Sequence, residues 1–394
     1  MPNRIRVGLI GCGSLSQIGI LPQLAEPDAK EHIDLRAVCD TVAARAEDTA
    51  RAFGVPHALT DPDELIARDD IDLVLVITPI GFHHPIAMRA LDAGKHVYVQ
   101  KTMTTTYTEA KELVDTAKDR GLVLVAAPGQ MLAPAMRAMR TLVTSGALGD
   151  VYWAWGSTGG WQHHLEANRQ GDDPQNSADP SWYYTKSAGP LRDVTVYVLQ
   201  SLTGILGPAQ RVSAMSGIRT AAHRWRDKVI PVEVDDNTLL TLDFGNATFA
   251  MLGGHSAATG KLIQWGGMGI YGSIGSVEAL EIEPLSGHPS SLAINGPADL
   301  PELESAKPGV YTLTSRLPHV TDRHAAIPEP HVYADIMHCV DCIRTNQPPI
   351  VSGEHAAHVV EIIEQAYLAA DTGQTQELQS TFSLPANYLD GTVT

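Results

Sequence analysis

Residues 5–16, Ile5-Arg6-Val7-Gly8-Leu9-Ile10-Gly11-Cys12-Gly13-Ser14-Leu15-Ser16, decide the reading of the fold. Together with Arg4 the first six make a mostly apolar run, 4–10, that reads as a buried strand. The turn Gly11-Cys12-Gly13 follows, and a helical pattern begins after Ser14. Gly11 permits a tight turn, and Gly13 lets a pyrophosphate approach the backbone. Ser16 fills the third, small-residue position. The amides of Ser14 and Leu15 then open a helix whose N-terminus favours an anion. The motif is common, so its weight comes from its surroundings.

Outward from the turn, a second strand, Leu35-Arg36-Ala37-Val38-Cys39, ends on Asp40. An acid at that place accepts the ribose hydroxyls of a dinucleotide and repels a 2′-phosphate, which favours NAD. Arg45 lies nearby and keeps NADP open as an alternative. Asp40 comes later after Gly13 than the usual ~20 residues. The first helix or its loop, around Leu21-Pro22-Gln23, must therefore be extended. Helices over about 41–53, from Asp61, over 84–93 and over 107–119 then alternate with strands near His57 and at 72–77, 96–99 and 122–125. Such alternation builds right-handed βαβ units around a parallel sheet.

The rhythm changes after residue 126. A helix over about 134–144 is followed by strand patterns at 150–157, 210–216, 237–244, 247–254, 262–272 and 276–282. One helix, about 190–203, and a polar loop, about 159–188, interrupt them. Strands without intervening helices pair antiparallel. The expected architecture is a Rossmann domain over 1–126, then an α+β domain over 127–394 with a large open, mainly antiparallel sheet. The stretch 284–327 reads as loop, and helices are expected at about 329–345 and 354–371.

With 394 residues the chain is long for one core, which agrees with two domains. A net charge of −17 disfavours nucleic acid and anionic membranes as partners. No apolar run reaches membrane-spanning length and no leader pattern precedes the first strand, so the expected location is the cytoplasm. Cys339-Val340-Asp341-Cys342 has CxxC spacing, but no second ligand pair accompanies it. Two ordinary helix cysteines and no metal site are expected.

Two further segments carry chemistry. Val97-Tyr98-Val99-Gln100-Lys101-Thr102 puts Lys101 at the carboxyl end of a parallel strand, the end where such sheets bind ligands. Gly189-Pro190-Leu191-Arg192-Asp193-Val194-Thr195-Val196-Tyr197 places Asp193 and Tyr197 four apart on one helix face. With these segments, the glycine turn, Thr78-Pro79 with His83, Gly94-Lys95-His96-Val97, Ser145-Gly146-Ala147-Leu148-Gly149 and Tyr271-Gly272-Ser273-Ile274-Gly275-Ser276-Val277-Glu278, nearly the whole chain resembles the Gfo/Idh/MocA family of glucose–fructose oxidoreductases and inositol dehydrogenases. The resemblance implies an NAD(P)-dependent enzyme acting on a carbohydrate, and a homodimer or homotetramer formed through the open sheet. It implies cofactor contacts from Gly11, Gly13, Ser14, Leu15, Asp40, Thr78, Pro79, His83, Gln100 and Lys101. The family's usual Glu-Lys-Pro is Gln100-Lys101-Thr102 here, its frequent His is Tyr197, its later Asp is Gln200, and its Asn after Thr-Pro is Ile80. Without proline, a trans bond is expected before Thr102.

The expected reaction is hydride exchange with a secondary alcohol of a sugar, sugar derivative or cyclitol. Tyr197 acts as acid/base, the Lys101 cation lowers the phenol's pKa, and Asp193 orients the substrate or the lysine. Trp161, His163, His164 and Tyr183 are expected to meet the sugar, with His163 an alternative acid/base. A redox-neutral, NAD-dependent glycoside cleavage by oxidation, elimination and reduction is the second reading. A non-catalytic dinucleotide sensor is the third.

Overall fold

The computed structural model describes residues 4–159, 162–171, 179–257, 266–282, 289–301 and 303–385. The opening run forms β1 (Ile5–Ile10), and the alternating pattern supplies β2 (Ile33–Cys39), β3 (His57–Leu59), β4 (Leu73–Val76), β5 (His96–Val99) and β6 (Leu124–Ala126). All pair in parallel in the order β3-β2-β1-β4-β5-β6, the Rossmann arrangement. The order reverses direction beside β1, so the crevice at its carboxyl end receives the glycine turn. The extra length before Asp40 is not only a longer first helix. A separate short helix, Pro27–His32, precedes β2, with Pro27 in its first turn.

The second sheet has ten strands among the described residues. Across it run 303–307, 310–313, 289–295, 276–282, 267–272, 151–159, 249–255, 237–243, 211–217 and 376–377. Neighbours pair antiparallel except Val151–Gly159 with Phe249–His255, which are parallel. Three of these strands, Pro289–Asn295, Leu303–Lys307 and Val310–Leu313, lie in the stretch read as loop. They are short, with weak alternation, and they gain their order by pairing at a sheet edge. A separate hairpin, Ala222–Trp225 with Lys228–Pro231, was also not expected, since Arg226-Asp227 lacks a turn glycine. Arg226 nevertheless takes the left-handed conformation there (φ 52°).

One face of the large sheet is covered. Ala154, Leu240, Leu242, Ala250, Leu252, Met268 and Ile270 are buried in the main core, against apolar residues of helices Pro134–Thr144 and Val196–Leu206. The alternate positions, Trp153, Met215, Leu239, Phe249 and Met251, are exposed, as the period of two requires. The last two helices, Pro330–Thr345 and Gly353–Thr372, return to the first sheet. Ala356, Ala357 and Val360 share a core with Val97, Val99 and Leu113. No helix among the described residues is long and apolar enough to cross a membrane.

Asp335 sits in this returning helix, fully inside, and its Oδ2 accepts the Gly129 amide at 3.0 Å. Burial pushes its carboxyl up to about 8. The unfolded carboxyl titrates near 3.9. The native state therefore holds an extra proton between those two values, and stability falls as pH rises through that window. Asp335→Asn keeps an acceptor for Gly129 and cannot ionise. It is expected to raise Tm by roughly 5 °C at pH 9 and by much less at pH 5, in thermal melts across pH. Equal effects at both pH values would refute the assignment.

Candidate active site

The turn after β1 is built as its glycines suggest. Gly11 has φ +102°, and a Cβ there would lie 2.2 Å from the Ile77 carbonyl oxygen. Gly13 differs, because a Cβ there would meet nothing within 4 Å. That open space above the turn is the cradle a pyrophosphate needs. Ser16 Oγ donates to Gly11 O at 2.5 Å, so the small third residue braces the turn. Asp40 Oδ2 accepts the Cys12 amide at 3.0 Å, Oδ1 accepts the Val42 amide at 2.9 Å, and Arg45 Nη1 reaches Oδ1 at 3.1 Å. The acid is thus fixed at the mouth of the turn, with Arg45 folded onto it.

Thr78 and Pro79 follow β4. Among the described residues, no hydrogen-bond partner meets the buried Thr78 Oγ1. His83 lies between two carbonyls, Nδ1 facing Thr102 O at 2.8 Å and Nε2 facing Thr78 O at 2.7 Å. It ties the ends of β4 and β5 together rather than reaching into the crevice. Gln100 is buried, and its Oε1 accepts the Lys101 amide at 2.6 Å. The Lys101–Thr102 bond is cis, which overturns the trans expectation. Contacts hold both sides of that residue: the Thr102 carbonyl meets His83, and the Thr102 hydroxyl donates to Arg192 O. The open Gly13 cradle, the orphaned Thr78 hydroxyl and Asp40 together fit a nicotinamide dinucleotide.

Lys101 and Asp193 do come together. Lys101 Nζ donates to Asp193 Oδ1 at 2.5 Å and to Asp193 O at 2.7 Å. Asp193 lies in a widened helical turn, Leu191–Thr195, which continues into Val196–Leu206. Burial opposes its charge, but Lys101 and His163 outweigh burial and hold the carboxyl well below the usual range. Tyr197 follows one turn later, buried, with Lys101 Nζ 5.6 Å from its ring centroid. Its hydroxyl is directed to His331 Nε2 at 3.4 Å. The expected lowering of its pKa does not occur. Burial, then Glu329, Asp193 and Asp335, push the phenol well above 10.

The polar loop divides. His163 joins the site: Nε2 is 2.9 Å from Asp193 Oδ2, and Nδ1 is 2.6 Å from Glu166 Oε1. Tyr183 is fully buried, its ring edge-on to His163 with centroids 4.6 Å apart. His164 turns to other partners. Its Nδ1 accepts the Tyr184 hydroxyl at 2.6 Å, its ring stacks on His223, and burial pushes it down to about 4. Trp161 lies outside the described residues.

Glu166, Glu329 and His331 were not singled out from sequence. Glu329 lies close enough to Lys101 to feel its charge, and its Oε2 is 3.5 Å from His331 Nε2. Its Cβ lies 2.8 Å from where a Cβ on Gly19 would sit, so that glycine admits the approach. Burial, with Glu166 and Asp193, raises its carboxyl despite Lys101. Cys339 and Cys342 are buried in Pro330–Thr345. Burial raises both thiols, Cys342 to about 12, so neither is a thiolate at neutral pH.

Residues 5–127 match the model of an oxidoreductase family with an NAD-binding Rossmann fold, and residues 136–278 match the GFO/IDH/MocA C-terminal domain. A dTDP-3,4-didehydro-2,6-dideoxy-alpha-D-glucose 3-reductase of Streptomyces violaceoruber is 34% identical over 209 residues, 53% of this chain and 56% of the relative. The D-glucoside 3-dehydrogenase of Escherichia coli (strain K12) is 27% identical over 209 residues, 52% of this chain and 54% of the relative. The matched stretch thus spans little more than half of either relative. The fold of a levoglucosan dehydrogenase in complex with NADH superposes with a TM-score of 0.76 at 19% identity, covering 96% of this chain and 100% of that one.

Proposed function

The chain belongs to the Gfo/Idh/MocA oxidoreductase family, with an NAD-binding Rossmann domain, and on that premise we propose that it oxidises or reduces position 3 of a pyranose. The observation that carries this is the Lys101–Asp193 pair, fixed beyond the carboxyl end of β5 and beside the dinucleotide cradle. Two of the relatives, a sugar 3-reductase and a D-glucoside 3-dehydrogenase, support the choice of carbon.

The chemistry a bound NAD would supply is exchange of hydride with the carbon bearing the reacting oxygen. Gly11, Gly13, Ser14 and Leu15 would hold its pyrophosphate, Asp40 its ribose, and Thr78, Pro79 and Gln100 the walls of its crevice. Lys101 handles the proton at the substrate oxygen. Its ammonium has three donors, and Asp193 occupies two of them. In the reducing direction the third donor binds the carbonyl oxygen and gives it a proton. In the oxidising direction the amine recovers that proton. The pair is preorganised, which is what stabilises charge developing on oxygen. Tyr197, kept protonated by its surroundings, donates a hydrogen bond rather than acting as the base.

A panel of pyranosides with NAD is the test. NADH absorbance should rise, and NMR should find a ketone at position 3. Release of the aglycone without net NADH would favour the redox-neutral reading instead. Bound NAD without turnover of any sugar would favour the sensor.

We also propose that two copies pair through the open sheet face. Met215 and Leu239 are direct neighbours there, as are Phe249 and Trp153, and all four are exposed. Contiguous apolar surface of this kind marks an interface. Leu239→Lys with Met251→Lys should shift the chain to a monomer in sedimentation velocity, with little change in Tm. An unchanged sedimentation coefficient would exclude this interface.

A further inference from the structure

Five groups of alternating charge are linked in one chain: Lys101, Asp193, His163, Glu166 and Arg169. Their links are Lys101 Nζ to Asp193 Oδ1 at 2.5 Å, His163 Nε2 to Asp193 Oδ2 at 2.9 Å, and His163 Nδ1 to Glu166 Oε1 at 2.6 Å. Arg169 Nε then donates to Glu166 Oε2. The function proposed above uses only the first two groups. The other three come from one short stretch, His163-His164-Leu165-Glu166-Ala167-Asn168-Arg169. Two consecutive 3₁₀ turns, His163–Leu165 and Ala167–Arg169, shape it. Side chains three apart eclipse in such turns, so His163, Glu166 and Arg169 stack on one side.

We propose that Glu166 is a positioning residue for the hydride-transfer centre: it holds His163 as an imidazolium, and that cation locks the Asp193 carboxylate so that Lys101 stays aimed at the substrate oxygen. The inference rests on the role given to Lys101 above. Its geometric basis is that both nitrogens of His163 face carboxylate oxygens. A neutral imidazole has one N–H and could satisfy only one of them. Each Asp193 oxygen has its own cation, so the carboxylate plane is fixed from two sides. Burial works against charge on His163, yet Asp193 and Glu166 outweigh it and raise its pKa. The rings of Trp182 and Tyr183 pack on the same imidazole. Arg169 in turn holds Glu166, and its carbonyl accepts Trp225 Nε1 at 3.1 Å, which ties the stretch to the hairpin. Two further groups lie near Glu166: the Glu329 carboxyl from the returning helix, and the Tyr184 phenol.

The test is Glu166→Gln, read in two ways. In cofactor-free protein with labelled histidine, NMR titration should show His163 protonated through neutral pH. In the variant its midpoint should fall by at least one pH unit. In turnover, kcat should drop by about tenfold or more with KM within about threefold, as expected for a misaimed catalytic group. That loss should shrink as pH is lowered and His163 regains its proton. Glu166→Asp should restore part of the rate. If Glu166→Gln does not fold, His163→Gln should show a similar loss with no recovery at low pH. An unchanged His163 midpoint overturns the clamp. A shifted midpoint with unchanged kcat and pH profile overturns the positioning role. If the wild type turns over no pyranoside, the Lys101 reading fails, while the titration still decides whether the clamp exists.

Discussion

Lys101→Met is expected to lower kcat by about 10³-fold and leave NAD affinity within about threefold of the wild type. The magnitude follows from the two jobs assigned to one nitrogen. Proton transfer by a positioned group contributes about 10²–10⁴-fold. Removing one preorganised donor from a developing oxyanion costs about 10²–10³-fold. The two overlap on Nζ and do not multiply. Methionine preserves the length of the stem, and His163 remains to partner Asp193. The variant should therefore fold, although losing one cation from a buried pair lowers its Tm. Asp193→Asn keeps an acceptor for Nζ and removes the charge, so a smaller loss, about 10²-fold, is expected. Tyr197→Phe should cost less than about tenfold, because its hydroxyl is directed to His331 and is kept protonated by its surroundings. Single-turnover rates with a fixed pyranoside rank the three variants. A Lys101→Met enzyme retaining more than a tenth of its rate would remove Lys101 from the centre. A Tyr197→Phe enzyme as dead as Lys101→Met would return the acid/base role to the tyrosine.

That ranking departs from the one expected from sequence, and the departure has a physical origin. Spacing placed Asp193 and Tyr197 on one helix face and Lys101 at a strand end, and the three do meet. Spacing could not say which atoms face which. Lys101 Nζ turns to Asp193 and lies over the tyrosine ring, while the tyrosine hydroxyl meets His331, more than a hundred residues later in the chain. Burial, Glu329, Asp193 and Asp335 then set the phenol's state, and two of these three acids lie more than a hundred residues away in the sequence. The Rossmann half was more legible because its signals are local. Each strand is followed by a helix with its own start and stop residues, as with Asp61-Pro62 and Gly54. Where the signal is not local, the reading missed. Pro289–Asn295 is a strand only because Ser276–Ile282 and Val310–Leu313 flank it. Glu166 and Arg169 fall in the polar loop at about 159–188, and no motif in the sequence singles them out. Their spacing of three from His163 was the available clue, and it acquires meaning only once the turns are 3₁₀.

The glycine turn permits a sharper experiment than its motif suggests, because its two glycines should fail in opposite ways. Gly13→Ala is expected to leave Tm within about 2 °C of the wild type and weaken NAD binding by at least about 100-fold. Its added methyl meets no protein atom within 4 Å, so the fold has no reason to object. The methyl instead enters the space a pyrophosphate must occupy, and withdraws the backbone amides from an anion they would otherwise bind. Losing about two charge-assisted hydrogen bonds, at about 1.5–3 kcal/mol each, accounts for that factor. Gly11→Ala should instead damage the fold. Its methyl would lie 2.2 Å from the Ile77 carbonyl oxygen, and its φ of +102° is one that alanine resists. Ile77 also donates to Ile10 O at 2.8 Å, and Gly11 donates to Cys39 O at 2.8 Å. Displacing the turn therefore disturbs the ends of β1, β2 and β4 together. A fall in Tm of roughly 5 °C or more is expected even without cofactor. Calorimetric titration with NAD, alongside thermal melts of the free protein, separates the two outcomes. If Gly13→Ala binds NAD as tightly as the wild type, the pyrophosphate does not lie over this turn. If Gly11→Ala melts like the wild type, the close approach to Ile77 is not a constraint on the turn.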